Sequence, residues 1–178
     1  MTAALARIKS SRAAIASLAA VAVAVALGVG AAFGTARGTP APVVAYTLLD
    51  GTQHSSADWR GKVVLVNFWA TTCTTCVREM AQIAALHDKF KARGYETVAV
   101  SMQYDAPASV AHYATTRRLP FGVAIDNTGA IAQGFGDVEA TPTTFLIDKR
   151  GRIAARFVGA PDFAQLDAQI ADLLAAPA

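Results

Sequence analysis

The chain has 178 residues, a net charge of +3 and a hydrophobic fraction of 53%. That length allows one domain of ordinary size plus a terminal segment, and such a domain can bury a sufficient core without disulfide staples. The positive charge belongs to residues 1–37, which hold four basic residues and no acid. The rest, with twelve basic and thirteen acidic residues, has a charge of about −1, which argues against a nucleic-acid-binding domain.

The first predicted element is an uncharged apolar segment at residues 13–33. Its 21 residues are enough to cross a hydrocarbon core of about 30 Å as a helix. Arg7, Lys9 and Arg12 precede it, so the positive-inside rule sends the remaining chain across the membrane. We therefore predict that residues 1–37 form a transmembrane anchor. A cleaved signal sequence is the alternative, because small residues follow the apolar segment.

Residues 38–42 are rich in proline and predict an extended linker, followed by an α/β domain over residues 43–178. Apolar and β-branched runs predict strands at residues 43–49, 62–70, 95–102, 121–125, 143–148 and 152–158. Helical spacing predicts helices at 73–93, at 106–118 and after Asp162, with a helical turn at 131–134. This order favours a mixed sheet with a parallel centre, an antiparallel edge and helices on both faces.

Both cysteines of the chain, Cys73 and Cys76, lie in the stretch FWATTCTTCVREM, where a predicted strand meets a helix. Such a pair can be a redox-active dithiol, half of a metal site or a structural disulfide. Cysteines at i and i+3 in the first turn of a helix can close a small disulfide ring. The backbone N–H groups of that turn favour a thiolate on the first cysteine. We interpret Cys73 as the attacking nucleophile and Cys76 as the thiol that resolves the mixed disulfide.

The other two roles of the cysteine pair have weaker support. A structural zinc site uses four ligands, and His54, His87 and His112 form no closely spaced pair. Haem attachment needs a histidine directly after the second cysteine, where this chain has Val77. A disulfide across so short a spacing gains little chain entropy. No metal or cofactor is therefore predicted.

Two stretches, FWATTCTTCVREM and ATPTTFLIDKRGRI, resemble the thioredoxin superfamily, and within it the TlpA/ResA-like membrane-anchored thiol-disulfide oxidoreductases of bacteria. The similarity covers about residues 43–175. It implies a thioredoxin-like fold with an N-terminal β-hairpin and an inserted element near residues 120–136. It also implies a cis peptide bond before Pro142, beside the cysteine pair, and a Thr141 backbone free to pair with an extended substrate segment. From the residues alone, Pro142 would be a proline at the start of a strand.

A proton acceptor for Cys76 is also expected. Thioredoxin itself has a buried aspartate on the strand before the motif, where this chain has Asn67. Glu79, one helical turn past Cys76, is then the candidate, because partial burial would raise its pKa and suit it to proton transfer. A solvated surface glutamate is the alternative. Trp69 is expected beside the site, either as a substrate contact or as a core residue.

Several positions depart from the pattern common in this branch. Thr72 and Ala81 stand where many relatives have tryptophan and proline, and Thr74-Thr75 separates the cysteines without a proline. The hydroxyl groups could hydrogen-bond a thiolate. Tyr104-Asp105 ends a predicted strand, where folds of this kind place loops near the site.

The resemblance implies a disulfide reductase on the periplasmic side of the bacterial inner membrane, and we expect it to be a monomer. Its expected substrates are extracytoplasmic disulfide proteins, in cytochrome c maturation or in copper-site assembly of terminal oxidases. A reductase in an oxidising compartment needs an external electron supply, for which a membrane thiol transporter of the DsbD/CcdA kind is expected. Two alternatives share the fold: a peroxiredoxin-type peroxidase, whose PxxxTxxC pattern is not found here, and a Sco-like copper chaperone, which uses CxxxC.

Overall fold

A computed structural model describes residues 38–178, so the predicted anchor or signal at residues 1–37 lies outside the described part. No helix within residues 38–178 is long and apolar enough to cross a membrane. The strands are β1 (Ala45–Thr47), β2 (Gln53–Ser55), β3 (Val63–Trp69), β4 (Tyr95–Ser101), β5 (Gly122–Ile125), β6 (Thr143–Ile147) and β7 (Ile153–Val158). The α-helices are α1 (Thr74–Phe90), α2 (Pro107–Arg117), α3 (Ala130–Gly134) and α4 (Phe163–Ala175), with 3₁₀ turns at Ser56–Trp59 and Lys91–Arg93.

The five longer strands form one sheet in the order β5-β4-β3-β6-β7. β3, β4 and β5 run parallel, β6 is antiparallel to β3, and β7 is antiparallel to β6. The predicted mixed sheet is therefore confirmed. Every residue of β3 is buried, as expected for a central strand that is covered on both faces.

The two faces of the sheet carry different layers. Val63, Leu65 and Trp69 of β3 face α1, α2 and α4. Val66 and Phe68 face the other side, where β1, the 3₁₀ turn Ser56–Trp59 and the short helix α3 pack. Helices thus lie on both faces, but the three long ones share one face. The right-handed crossovers from β3 to β4 and from β4 to β5 step across the sheet in the same direction, so they leave their helices on the same side.

Helix α1 carries the cysteine pair at its first turn and ends where the sequence predicts. The α-helical part stops at Phe90, and Gly94 caps the 3₁₀ turn that follows. Gly94 has a φ of +87°, in the left-handed region that glycine adopts at little cost. Asp162 caps α4 as predicted, because its carboxylate accepts hydrogen bonds from the N–H groups of Ala164 and Gln165.

The N-terminal hairpin differs from the single strand predicted at residues 43–49. β1 spans only three residues and pairs antiparallel with β2, which the residue pattern did not predict although the family resemblance implied a hairpin. Leu48 then forms a bridge to Ala124, and the Leu49 N–H donates to the Val123 carbonyl (2.9 Å). The chain after β1 therefore covers the outer edge of β5, which limits pairing with another molecule.

The predicted linker at residues 38–42 belongs to the folded unit instead. The Ile153 N–H donates to the Thr39 carbonyl (2.8 Å), and the Ala41 N–H donates to the Gly151 carbonyl (2.9 Å). A Cβ at Gly38 would overlap the Ile153 carbonyl oxygen, so glycine permits this close approach. The prolines do favour an extended chain, but that chain pairs with the start of β7, an edge strand with unpaired backbone groups.

Replacing Tyr46 with phenylalanine tests how the hairpin is held on the sheet. The buried Trp59 indole N–H donates to the Tyr46 hydroxyl (3.0 Å), so Tyr46→Phe leaves a buried donor without an acceptor. We expect the free energy of unfolding to fall by about 1–2 kcal/mol, measured by urea denaturation. Val43→Ala, at a side chain that is 79% exposed, is the control and should change stability by less than about 0.5 kcal/mol. An unchanged Tyr46→Phe midpoint would contradict the assigned role.

Candidate active site

The cysteine pair lies where β3 passes into α1. Cys73 is the N-cap residue of α1, and the Cys76 N–H points at its Sγ atom (3.2 Å). The two sulfurs are bonded, with their Cα atoms 5.3 Å apart. Cys73 is partly exposed, whereas Cys76 is fully buried. An incoming molecule can therefore reach Cys73 but not Cys76, which supports the predicted division of roles.

The loop before β6 lies against the exposed sulfur. The peptide bond between Thr141 and Pro142 is cis, as the resemblance implies. The Thr141 carbonyl oxygen is 3.6 Å from Cys73 Sγ, while the Pro142 carbonyl accepts a hydrogen bond from the Gly159 N–H (2.8 Å). Within residues 38–178, the Thr141 backbone forms no hydrogen bond with another backbone group. The loop thus presents an unpaired stretch of main chain directly beside Cys73.

Glu79 is buried one turn along the helix from Cys76, with a side chain that is 3% exposed. The Asn67 amide Nδ2 donates to Glu79 Oε1 (3.2 Å) and to the Thr144 hydroxyl (3.0 Å). The second carboxyl oxygen, Oε2, has no hydrogen-bond partner among the described residues. Burial raises the pKa of Glu79 to about 7, and the hydrogen bond from Asn67 opposes that rise. Glu79 is therefore not a solvated surface residue, and its role as proton acceptor stays a prediction.

Trp69, the last residue of β3, is fully buried. Its ring packs against Tyr113 of α2, with the centroids 5.1 Å apart, and its backbone carbonyl accepts a hydrogen bond from Met102 (3.0 Å). A side chain in this position offers no surface to a substrate. Of the two roles expected for Trp69, the structure favours the core residue.

A second buried carboxylate, on Asp105, fixes the loop between β3 and Cys73. It accepts hydrogen bonds from the Thr71 N–H (2.6 Å), the Thr71 hydroxyl (2.5 Å) and the Ser101 hydroxyl (3.2 Å). The sequence indicated Asp105 only as the end of a strand near the site. Its partners could not be read from the pattern, because the link to Thr71 joins residues 34 positions apart.

The threonines between the cysteines lie at the surface edge of the site. Thr74 is exposed, and the Thr75 hydroxyl accepts a hydrogen bond from the Arg78 guanidinium (3.3 Å). Neither hydroxyl contacts a sulfur in this disulfide form of the protein. The expected hydrogen bond from these hydroxyls to a thiolate therefore stays a prediction for the reduced form.

Known proteins are similar to this chain in both sequence and fold. The model of the Redoxin family matches residues 36–170. The thiol-disulfide oxidoreductase ResA of Bacillus thuringiensis subsp. konkukian is 35% identical over 130 residues, which is 73% of this chain and 74% of the relative. ResA of Geobacillus kaustophilus is 37% identical over 122 residues, covering 68% and 69% of the two chains.

A solved structure gives the same result for the fold. A thiol:disulfide interchange protein of the thioredoxin family from Chlorobium tepidum superposes with a TM-score of 0.71 at 29% identity, covering 79% of this chain and 99% of that one. The family match, the relatives and the cysteine pair at the start of α1 agree. This chain therefore belongs to the Redoxin family, as a ResA-like thiol-disulfide oxidoreductase of the thioredoxin superfamily.

Proposed function

We propose that this protein reduces disulfide bonds in extracytoplasmic proteins. The observation that carries the proposal is the combination of the accessible Cys73 with the unpaired Thr141 backbone 3.6 Å from its sulfur. An extended segment that pairs with Thr141 brings its own disulfide next to Cys73. The fully buried Cys76 cannot be attacked from outside but can reach Cys73.

The reaction has two exchange steps. In the reduced protein the Cys73 thiolate attacks one target sulfur, forming a mixed disulfide, and the other target sulfur leaves as a thiolate that takes up a proton. Cys76 then attacks Cys73, and the remaining target sulfur leaves as a thiol. The products are the target dithiol and the Cys73–Cys76 disulfide, so two electrons pass to the target. The Cys76 N–H beside Cys73 Sγ is placed to stabilise the thiolate that starts the cycle.

Glu79 supplies the proton acceptor for the second step. Cys76 must lose its proton to become a nucleophile, and it is fully buried, so bulk water cannot accept that proton directly. With a pKa of about 7, the Glu79 carboxyl group is close to half ionised at neutral pH. It can take the Cys76 proton and return it to the departing target sulfur. Asn67 holds the carboxyl group in place throughout.

The cellular setting is part of the same proposal. The apolar segment at residues 13–33 and the basic residues before it support attachment to the bacterial inner membrane, or export after cleavage, with the domain in the periplasm. There a reductase must be recharged, for which we propose a DsbD/CcdA-type thiol transporter as electron donor. Relatives named ResA and thiol:disulfide interchange protein support disulfide-containing proteins as targets. We propose apocytochrome c or an oxidase copper-site protein as the target, and a monomer as the working form.

The reduction potential of the Cys73–Cys76 couple tests the direction of the reaction. The full-length protein is equilibrated in glutathione or dithiothreitol buffers of known potential, and the fraction of disulfide is measured by thiol alkylation and mass spectrometry. A value near or below about −250 mV, in the range of thioredoxin, is expected for a reductase. A value near about −120 mV would make the protein a donor of disulfides and would overturn the proposed direction.

A further inference from the structure

We infer that Tyr104 is a specificity-determining residue, whose ring contacts the target segment beside its reactive cysteine and favours an apolar side chain there. The inference rests on the proposed function, because it concerns the docking of the same substrate at the same sulfur. Neither the cysteine motif nor the Thr141-Pro142 loop assigns a role to Tyr104.

The position of Tyr104 relative to the reactive sulfur is the first argument. Its side chain is 59% exposed, and its hydroxyl lies 3.3 Å from the Thr141 hydroxyl. Thr141 in turn places its carbonyl oxygen 3.6 Å from Cys73 Sγ. Thr141 therefore contacts both the hydroxyl of Tyr104 and the sulfur that attacks. Because neighbouring residues of a strand are about 3.3 Å apart, a segment that pairs with the Thr141 backbone brings the residues beside its cysteine within reach of Tyr104.

The second argument is that the backbone under the exposed ring is fixed. The Asp105 N–H donates to the Met102 carbonyl (2.9 Å), which closes a β-turn with Tyr104 in its third position. The buried Asp105 carboxylate then ties this turn to Thr71 and Ser101 through three hydrogen bonds. An exposed aromatic ring on an ordered backbone loses little conformational entropy on binding, which is the condition for a strong contact residue.

The surroundings of Tyr104 indicate the chemistry of its ligand. The hydroxyl is engaged with Thr141, so the ring face is the part that remains for a partner. The charged residue nearest in sequence is Asp105, which is only 5% exposed. Its carboxylate already accepts hydrogen bonds from three donors, so it does not attract a cation to the ring. Exposed tyrosines bind partners chiefly through apolar and aromatic contact. An aliphatic or aromatic side chain next to the target cysteine therefore fits better than a charged one.

The experiment measures mixed-disulfide formation by the full-length Cys76→Ser protein, which stops after the first step. The substrates are peptide disulfides that differ only in the residue next to the cysteine, which is leucine, glycine or arginine. Each peptide is tested with the parent, with Tyr104→Ala and with Tyr104→Phe. Rates with hydroxyethyl disulfide, which has no segment to pair, normalise the reactivity of Cys73 in each protein. Leu49→Ala, at another exposed apolar side chain, is the matched control.

We expect the parent to prefer leucine over glycine by about 5- to 10-fold, in line with one aromatic contact. Tyr104→Phe keeps this preference, and Tyr104→Ala reduces it to less than about 2-fold. An equal loss in both variants would overturn the inference, because the hydroxyl contact with Thr141 would then be what matters. A leucine-to-glycine rate ratio near one in the parent, or a preference for the arginine peptide, would also overturn the inference. If hydroxyethyl disulfide reacts but no peptide does, the proposed function fails and the inference falls with it.

Discussion

We expect replacement of Cys73 with serine to abolish protein disulfide reduction, and replacement of Cys76 with serine to stop the reaction at a mixed disulfide. Cys73 is the accessible sulfur beside Thr141, so without it no first bond to the target forms. We expect Cys73→Ser to lower turnover by at least about 10³-fold, as loss of a nucleophile does. Turnover is measured on a protein disulfide with dithiothreitol as the electron donor.

The fate of the target distinguishes the two cysteines. Cys76→Ser is expected to accumulate a covalent adduct of one target molecule per protein, visible by non-reducing electrophoresis and mass spectrometry. Cys73→Ser is expected to form none, because the remaining thiol, Cys76, is fully buried. The two variants change the same atom type three residues apart and so control for each other. Adducts on Cys76 in the Cys73→Ser protein at the parental rate would reverse the assignment.

Glu79→Gln is expected to remove a large pH dependence of stability. In the folded protein the Glu79 pKa is raised from 4.5 to about 7, so between these values the folded state holds a proton that the unfolded state has lost. This stabilisation is complete below about pH 4.5 and disappears as the pH rises through about 7. The wild-type protein should therefore lose about 2–3 kcal/mol more stability than the variant between pH 5 and pH 8. Urea denaturation of both proteins at the two pH values measures this difference.

The same substitution should slow the second exchange step. A glutamine cannot take the Cys76 proton, so release of the target from the mixed disulfide should slow by about 10²- to 10³-fold. In the wild type that rate should rise as the pH passes through about 7, where Glu79 ionises. Glu79→Gln should lose this rise. Rapid quenching and alkylation of the mixed disulfide measures the release rate. Glu96→Gln, at a surface residue paired with Lys62, is the control. A rise near pH 7 that persists in Glu79→Gln would exclude Glu79 as the base.

Local signals in the sequence were sufficient to predict the position and the roles of the reactive cysteine pair. The spacing of Cys73 and Cys76, after an apolar run and before helical periodicity, predicts both their place at a helix start and their unequal exposure. Burial of Glu79 could only be suggested. It depends on Asn67, 12 positions away, and that amide also bonds Thr144, 77 positions further along the chain. Such long-range contacts leave no periodic pattern in the sequence.

The parts of the fold that were predicted wrongly are short or lack side-chain signals. β1 and β2 have three residues each, too few to show an alternating pattern. The chain from Gly38 to Ala41 pairs with β7 through backbone atoms alone, so its composition indicated only an extended segment. Asp105 acts through three hydrogen bonds to residues that a single sequence cannot bring together.

The pairing of Thr39 and Ala41 with the start of β7 also sets the orientation in which the domain can be held. β7 runs in the same direction as β3, so its first residue, Ile153, lies at the end of the sheet opposite to Cys73. Six residues of strand separate the two ends, a distance of about 20 Å. A solid support coupled to the backbone nitrogen of Gly38 would therefore hold the domain at the end of the sheet opposite to Cys73, with the reactive sulfur on the side away from the support.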